Sequence, residues 1–375
     1  MHSSGIDSQE YPVINHPYKA AQPRAFWKRA FEPDWESTLL GQGAPLICRG
    51  ETVASAGSCF AANIVPYLER AGFEYVRQTR LPPEFAAVAA DNFNYSRFSA
   101  AYGNIYTARQ AVQLLRRALG RFRPLEDRWI AAPDLIIDPF RPGLKYPACS
   151  QCEFDLLNAQ HLQQVLHVIR CADVFIFTLG LTEAWLSAHD GAVFPACPGT
   201  VAGTFDSRLH KFHNFSVTDV IQDLADLTDL LTEINPRVRL ILTVSPVPLV
   251  ATATGQHVLV ANTYSKSVLR VAASATVAAR QNVAYFPAYE LVSGPQAPHD
   301  SFGPDRREPT RAAIEAVMNS FLSCCEPQGS GIRGVPPAVP ADPECEPAQA
   351  SPCNLESHLS AAVAAAQCEE AAAEL

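Results

Sequence analysis

Short apolar runs alternate with segments of helical periodicity along most of the chain. Four of these runs read TVASA, ADVFIFTLG, RVRLILTVSPV and VAYFPAYE. They are apolar at nearly every position rather than at every second one, which is typical of parallel strands covered by helices on both faces. The pattern therefore predicts the buried strands of a parallel sheet.

Amphipathic helices are predicted between these strands. The segment 107–119 begins with Thr107, a residue type that caps helices, and repeats apolar residues at helical spacing. Three further segments have the same spacing: 216–236, 263–280 and 309–325. Strands that alternate with helices in this way predict a three-layer α/β/α sandwich with a mainly parallel central sheet.

The composition divides the chain into three parts. Residues 1–50 are rich in proline and aromatic residues, and they are expected to form an arm that packs on the domain through Phe26, Trp27 and Phe31. Residues 51–326 carry the alternating pattern of the α/β domain. Residues 327–375 are rich in Pro, Gly, Ala and Ser and have little to bury, which predicts a flexible tail.

Charge and hydropathy exclude several function classes. The chain has 375 residues, of which 48% are hydrophobic, and its formal net charge is -9. No clustered basic surface is visible, so no nucleic-acid partner is expected. The amino terminus lacks the pattern of a secretory signal, and no run approaches the ~18 apolar residues of a membrane span. These features predict a cytoplasmic protein without a membrane span.

Cysteines and histidines give no metal prediction. The 11 cysteines are an odd number scattered over the chain, which favours reduced thiols over a disulfide framework. Cys149 and Cys152 form a single CxxC, and no second pair stands at zinc-site spacing. His210 and His213 have a spacing that suits one helix face, but no third ligand is visible. No metal and no cofactor are therefore expected.

The stretch "AGSCF" places two nucleophile-capable side chains where a predicted strand becomes a predicted helix. Sites of open α/β sheets lie at this end of the strands. Gly57 permits a sharp turn, and a helix N-terminus or a nearby cation lowers the pKa of a thiol below its usual ~8.5. This favours Cys59 over Ser58 as a nucleophile. The alternative is a glycine turn, a serine cap and a small buried cysteine, and these residues by themselves leave both interpretations open.

Several motifs resemble the GSCFA family, which is similar to the SGNH (GDSL-type) hydrolases and acyltransferases. The similarity extends over roughly residues 15–322. The motifs stand in the family's order: "AGSCFAANIVPYLERAGF", "YGNIYTARQ", "ADVFIFTLGLTEAW", "VFPACPGTVAGTFD", "LTVSPVPLVAT", "TYSKSVLRVAA" and "YFPAYELVSGP". The resemblance implies an SGNH-like fold and acyl-ester chemistry.

The resemblance also implies roles for individual residues. On the first GDSL block, Gly57 and Ser58 match the glycine and aspartate, and Cys59 matches the attacking residue. On the second block, Gly103 with Asn104 beside it matches the glycine whose backbone N–H helps to hold the oxyanion.

On the third block, "GLTE" stands where the related enzymes have Gly-x-Asn-Asp. Gly180 matches the glycine, Thr182 stands in the asparagine position and Glu183 in the aspartate position. The Thr182 hydroxyl is then expected to donate to the oxyanion, a role worth ~3 kcal/mol of the barrier for one good donor. The alternative is that Thr182 and Glu183 cap a helix after the strand.

The last block departs from the related enzymes. They end with Asp-x-x-His, where the histidine is the general base, whereas this chain has "DRRE" with Asp305 in the aspartate position and Glu308 in the histidine position. Glu308 can serve as the base if burial raises its pKa. His299, in the loop before Asp305, and His257, beyond the end of a predicted central strand, are the other candidates, and His257 ranks first.

Two hypotheses follow. The first is an esterase or acyltransferase that acts on a small-molecule or glycan acyl substrate, with carbohydrate as the acceptor suggested by the resemblance. The second is a catalytically silent protein that keeps the fold to bind such a ligand or a protein partner. The intact Gly-Ser-Cys turn favours the first hypothesis, and the missing histidine favours the second.

Two further groups of side chains have structural explanations. Lys266 is expected to cap or pair at the start of a helix. The arginines at 109, 116 and 117 are expected to form a solvated helix face.

Overall fold

The larger part of the protein is built on a five-stranded parallel sheet. A computed structural model describes residues 16–31, 33, 35, 39–40, 44–77, 98–132, 135–144 and 147–327. The chain divides into two units, residues 1–43 and 44–375. The strands are β1 (Thr52–Gly57), β2 (Glu74–Tyr75), β3 (Trp129–Ala132), β4 (Leu135–Ile137), β5 (Val174–Leu179), β6 (Glu183–Ser187), β7 (Val193–Phe194), β8 (His210–Asn214), β9 (Arg239–Val244) and β10 (Val283–Phe286).

Seven α-helices accompany these strands in the described residues. They are α1 (Ile64–Arg70), α2 (Ala108–Ala118), α3 (Gln151–Cys171), α4 (Val217–Ile234), α5 (Val258–Ala279), α6 (Ala288–Ser293) and α7 (Arg311–Ser323). The predicted cap at Thr107 is confirmed, because its hydroxyl accepts the Gln110 N–H at the start of α2, and the hydroxyls of Ser216 and Thr310 cap α4 and α7 in the same way. Helix α5 begins at Val258, five residues before the predicted segment.

The central sheet has the order β2-β1-β5-β9-β10, with all neighbours parallel. In chain order this is the 2-1-3-4-5 arrangement of doubly wound folds. The chain leaves β1 toward one edge of the sheet and leaves β5 toward the other. The carboxyl ends of β1 and β5 therefore form the switch point, which is where ligands bind in such sheets.

Helices cover both faces of this sheet, as predicted. Successive residues of β1 and β5 alternate between two cores: Ala54 and Phe175 pack in one, and Val53 and Val174 in the other. Helices α2, α3, α4 and α5 complete the first core, and α1, α6 and α7 complete the second. The strands are apolar throughout because both faces are buried, so the three-layer α/β/α sandwich with a parallel sheet is confirmed.

A small antiparallel sheet, β7-β6-β8, was not predicted. His210 and His213 lie on β8 rather than on a helix, so their spacing puts them on opposite faces of a strand. His210 Nε2 lies 2.9 Å from the Glu126 carboxylate, and its Nδ1 accepts the Asp206 N–H. No group of three potential metal ligands occurs among the described residues.

The arginines of α2 do not form a solvated face. Arg116 pairs with Asp226 of α4 at 2.7 Å, and Arg109 pairs with Asp223 of the same helix. Arg117 is only 6% exposed, and its guanidinium lies 4.1 Å from the centre of the Phe140 ring. Burial lowers the pKa of Arg117. These contacts fix α2 against α4 and the neighbouring loop.

The amino-terminal unit contains three short 3-10 helices in its described residues, Pro17–Ala20, Pro23–Ala25 and Trp27–Arg29. Its aromatic rings pack on one another: Trp27 contacts Phe31 edge to face, and the Arg29 guanidinium lies 4.0 Å from the Phe26 ring centre. The packing of this arm on the α/β domain stays a prediction. The tail beyond residue 327 lies outside the described residues.

No helix among the described residues is both long and apolar enough to cross a membrane.

The pairing of α2 with α4 makes stability depend on pH through Asp223. One oxygen of this buried carboxylate contacts Arg109, whereas the other has no hydrogen-bond partner among the described residues. Burial raises the pKa of Asp223 to about 6, and Arg109 offsets only part of this effect. The stabilisation from the bound proton is therefore complete below the unfolded pKa of ~4 and is lost as the pH rises through about 6.

We expect Asp223→Asn to remove this dependence. Relative to the wild type, the free energy of unfolding of the variant should rise by up to ~3 kcal/mol between pH 4 and pH 7.5, because each pKa unit corresponds to ~1.4 kcal/mol. Urea unfolding at several pH values measures this difference. A difference that does not change with pH would contradict the assignment.

Candidate active site

Gly57 ends β1 in a position that only glycine fits. Its φ is +149°, and a Cβ built on it would lie 2.6 Å from the Thr178 carbonyl oxygen of β5. Gly57 and Thr178 are register partners in the sheet. The close approach of the two strand ends therefore depends on the missing side chain.

Ser58 and Cys59 follow this turn and differ in burial. Ser58 is 2% exposed, and its Oγ has no hydrogen-bond partner among the described residues. Cys59 is half-buried and packs against a cluster of Tyr106, Leu181, Leu249 and Ala261, which we call the thiol cluster. The structure thus buries the serine and leaves the thiol partly accessible.

The helical segment after Cys59 differs from the predicted one. Residues Cys59–Asn63 form a 3-10 helix, and the α-helical conformation begins only at Ile64. Because the helix dipole acts mainly within the terminal turn, α1 contributes less positive potential at Cys59 than a helix starting there. The environment of the thiol is therefore set mainly by its tertiary neighbours.

The second predicted block connects the two strands at the switch point. The Ile105 N–H donates to the Gly57 carbonyl at 2.8 Å, and the Tyr106 carbonyl accepts the N–H groups of Gly180 at 2.9 Å and Leu181 at 3.2 Å. Gly103, with φ of +68°, and the buried Asn104 precede this bridge. The structure thus brings all three predicted glycine-containing blocks together. A role for Gly103 and Asn104 toward an oxyanion stays a prediction.

Gly180 is the closest neighbour of this turn from the third block. A Cβ on Gly180 would lie 3.1 Å from the Ser58 Cβ and 3.1 Å from the Tyr106 carbonyl oxygen. Its own carbonyl oxygen accepts a hydrogen bond of 2.6 Å from Lys266 Nζ, and Lys266 is 1% exposed. Lys266 therefore lies within the site and not at a helix start.

The sequence carried a signal for the burial of Lys266. This residue precedes Leu269 and Ala273 by three and seven positions, so it belongs to the stripe of α5 that faces the core. A lysine on an apolar stripe is seldom fully buried without a polar partner, and here the Gly180 carbonyl is such a partner.

Thr182 is engaged by neighbouring elements. It is fully buried, its N–H donates to Ser265 Oγ at 3.0 Å, and its hydroxyl donates to Asn214 Oδ1 at 2.6 Å. Thr182 thus holds the third block against α5 and β8. A role for its hydroxyl toward an oxyanion stays a prediction.

Glu183 begins strand β6 and therefore caps no helix, which corrects the structural alternative. Its carboxylate accepts the Thr252 hydroxyl at 2.7 Å and the Ala253 N–H at 3.2 Å. Glu183 thus fixes the loop after β9 to the small antiparallel sheet.

The last block forms a turn in front of α7. The Asp305 carboxylate accepts the N–H groups of Arg307 at 3.0 Å and Glu308 at 3.1 Å. These backbone hydrogen bonds lower the pKa of Asp305. The Glu308 side chain is exposed, so the burial on which its role as a base depends is not present. Arg307 Nε donates to the Pro248 carbonyl at 3.2 Å, which places this turn next to Leu249 of the thiol cluster.

Both candidate imidazoles are exposed. His257 caps α5, and its Nδ1 accepts the Leu259 N–H at 3.2 Å. His299 lies in the loop before α7. A role of either residue, or of Glu308, as the general base stays a prediction.

A cleft borders the thiol cluster. It encloses about 890 Å³ of space that is continuous with solvent. Leu181 and Leu249 belong both to the thiol cluster and to the cleft wall, whereas Cys59 is not one of the residues that line the cleft. The other wall residues are Glu183, Ala184, Trp185, Phe194, Pro195, Ala196, Cys197, Thr200, Phe212, Ala251, Thr252 and Ala253. Burial raises the pKa of Cys197 to about 11, which makes Cys197 a poor competitor for Cys59.

The order of the parallel sheet and the glycine-led turn at its switch point define a doubly wound α/β fold. The chain belongs to the GSCFA family, whose sequence model matches residues 52–321. This confirms the family predicted from the motifs. No curated protein sequence matches the chain.

Solved structures with detectable similarity include esterases and an acyltransferase. A family 3 carbohydrate esterase from Clostridium thermocellum is 10% identical, with 72% of this chain and 92% of that chain covered and a TM-score of 0.31. A family 3 carbohydrate esterase from Talaromyces cellulolyticus is also 10% identical, with 72% of this chain and 94% of that chain covered and a TM-score of 0.31. A salicylyl-acyltransferase from a tetracycline biosynthetic pathway is 16% identical, with 42% of this chain and 38% of that chain covered and a TM-score of 0.24. At this level of similarity they do not indicate what this chain acts on.

The close approach at Gly57 predicts the outcome of a glycine replacement. We expect Gly57→Ala to lower the free energy of unfolding by about 2 kcal/mol or more beyond the loss in Gly50→Ala. Gly50 is a matched control because its φ is also positive, +80°, while a Cβ there meets nothing within 4 Å. Urea unfolding measures both variants, and equal losses would show that the Thr178 contact does not matter.

Proposed function

We propose that this chain is an esterase or acyltransferase that uses Cys59 as its nucleophile. The observation that carries the proposal is the half-buried Cys59 side chain at the switch point of the sheet, next to a cleft with which it shares Leu181 and Leu249. An accessible thiol beside a cleft at the carboxyl ends of parallel strands is the arrangement that covalent acyl transfer requires.

The chemistry takes place in two steps. A base takes the proton of the Cys59 thiol, the thiolate attacks the carbonyl carbon of an acyl ester, and the tetrahedral intermediate collapses to a thioester while the leaving alkoxide takes that proton from the base and departs as the alcohol. Water or an acceptor hydroxyl then gives its proton to the base and attacks the thioester, which releases the Cys59 thiolate, and the thiolate takes the proton back from the base. The first acceptor makes the protein an esterase and the second makes it an acyltransferase. A carbohydrate acceptor, suggested by the family resemblance, belongs to this proposal.

Cys59 is preferred over Ser58 for a physical reason. A serine needs a base in contact with its hydroxyl, whereas Ser58 Oγ is buried and has no hydrogen-bond partner among the described residues. A thiol ionises more readily and does not depend on such a contact. The absence of histidine at position 308 therefore weakens a serine mechanism more than a cysteine mechanism.

A catalytically silent binding protein is the second candidate. Two observations favour it: Glu308 is exposed, and His257 Nδ1 is engaged in capping its own helix. A silent protein would keep the cleft but would not need a reactive thiol at position 59. The reactivity of that thiol therefore separates the two candidates.

Alkylation by iodoacetamide tests the thiol directly. We expect Cys59 to react faster than Cys197, whose own pKa is raised to about 11 by burial. Peptide mass spectrometry across pH measures the rate at each cysteine of the full chain. If Cys59 reacts more slowly than the tail cysteines 345, 353 and 368, the silent protein is the better description.

Replacement of each nucleophile candidate separates their roles. With p-nitrophenyl esters as substrates, we expect Cys59→Ala to lower kcat/KM by at least ~1,000-fold, as loss of a nucleophile does in other enzymes. Ser58→Ala should lower it much less, because the buried hydroxyl has no proton acceptor. Thermal unfolding of both variants controls for folding. The reverse order of effects would assign the attack to Ser58.

A further inference from the structure

The walls of the cleft are mostly apolar and aromatic. Trp185 of β6 and Phe212 of β8 pack with ring centres 5.8 Å apart, and Phe194 of β7 adds a third ring to the wall. Between these rings and the thiol cluster the wall is formed by leucine, alanine and proline side chains. The surface offered to a ligand is therefore largely hydrocarbon.

The polar side chains of the wall are mostly occupied by other parts of the protein. Thr200 Oγ1 donates to the Cys197 carbonyl at 2.7 Å, and Thr252 Oγ1 donates to Glu183 at 2.7 Å. The second Glu183 oxygen accepts the Ala253 N–H. Within the described part of the chain, the Trp185 indole N–H is the exception, since no acceptor there receives it.

The charge of the cleft wall also favours an uncharged, apolar ligand. Its charged side chain is the Glu183 carboxylate, and no Lys, Arg or His occurs among the described residues that line it. A carboxylate or phosphate on the ligand would be repelled by Glu183 and would find no cation to pair with. A sugar would find few side-chain groups ready to replace the hydrogen bonds that its hydroxyls make with water.

We infer that the cleft binds the acyl part of the substrate, an uncharged hydrocarbon chain, and not its carbohydrate or charged part. This inference rests on the proposed function, because the acyl chain must start at a carbonyl held next to Cys59. Leu181 and Leu249 connect the two places, since both pack in the thiol cluster and line the cleft. The specificity is then for a longer acyl group over acetyl.

Alkylating reagents with different tails test this without requiring turnover. The reagents are iodoacetamide, N-octyl-iodoacetamide, an analogue of the octyl reagent whose chain ends in a carboxylate, and N-iodoacetyl-glucosamine. The rate at Cys59 is divided by the rate at the tail cysteine Cys345 of the same molecule, which corrects for the reactivity of each reagent. We expect the octyl reagent to exceed iodoacetamide by at least about tenfold in this ratio, since each buried methylene adds to binding. The carboxylate and sugar reagents should show no such gain.

A cleft variant tests whether the octyl tail of the reagent lies in the cleft. Ala251 is exposed and lines the cleft, so Ala251→Trp fills space without disturbing the core. We expect it to remove most of the octyl advantage and to leave the iodoacetamide rate within about twofold. Ala278→Trp is the matched control, because Ala278 is exposed near the far end of α5 and does not line the cleft.

The outcomes distinguish the inference from the function on which it rests. If iodoacetamide labels Cys59 but the octyl reagent gains nothing, or gains equally in Ala251→Trp, the acyl assignment is wrong and the proposed nucleophile stands. If the sugar reagent is the fastest, the cleft is a carbohydrate subsite. If none of the reagents labels Cys59, the proposed function and the inference both fail.

Discussion

The ends of β1 and β5 meet at a distance that leaves no space for a side chain at Gly57. A Cβ there would lie 2.6 Å from the Thr178 carbonyl oxygen, and one at Gly180 would lie 3.1 Å from the Ser58 Cβ. The segment before α2 joins both ends, since Ile105 donates to Gly57 and Tyr106 accepts from Gly180 and Leu181. The rest of the site is arranged around this contact, which leaves Ser58 buried and Cys59 half-buried against the thiol cluster.

The polar groups around this contact serve mainly to hold it. Lys266 donates to the Gly180 carbonyl from inside α5, and Thr182 uses both of its donors on α5 and β8. In the proposed mechanism, the attacking group therefore receives little help from the side chains of the third block. A thiol suits this proposal better than a hydroxyl, because its pKa lies much closer to neutral pH.

The cleft is a product of parts that lie outside the parallel sheet. The small sheet β7-β6-β8 supplies its aromatic wall, and the loop after β9 supplies the opposite side. Glu183 joins these two parts through Thr252 and Ala253. The same residue also sets the sign of the charge in the cleft. Under the proposed binding of an acyl chain, one carboxylate thus contributes both to the shape of the cleft and to its selectivity.

The sequence by itself determined the layers of the fold, the starts of α2, α4 and α7, and the three glycine-containing blocks of the site. These follow from local patterns: continuous apolar strands, capping hydroxyls and glycines at the ends of strands. It did not determine that β6 to β8 form a second sheet, that Thr182 is engaged, or that Lys266 reaches Gly180. Only the tertiary structure decided these points, because they depend on which elements pack together; Thr182 and Asn214 are 32 positions apart and Lys266 and Gly180 are 86. Hydropathy describes the surroundings of a residue along the chain, whereas the hydrogen bonds that a buried polar group makes are fixed only when the elements pack.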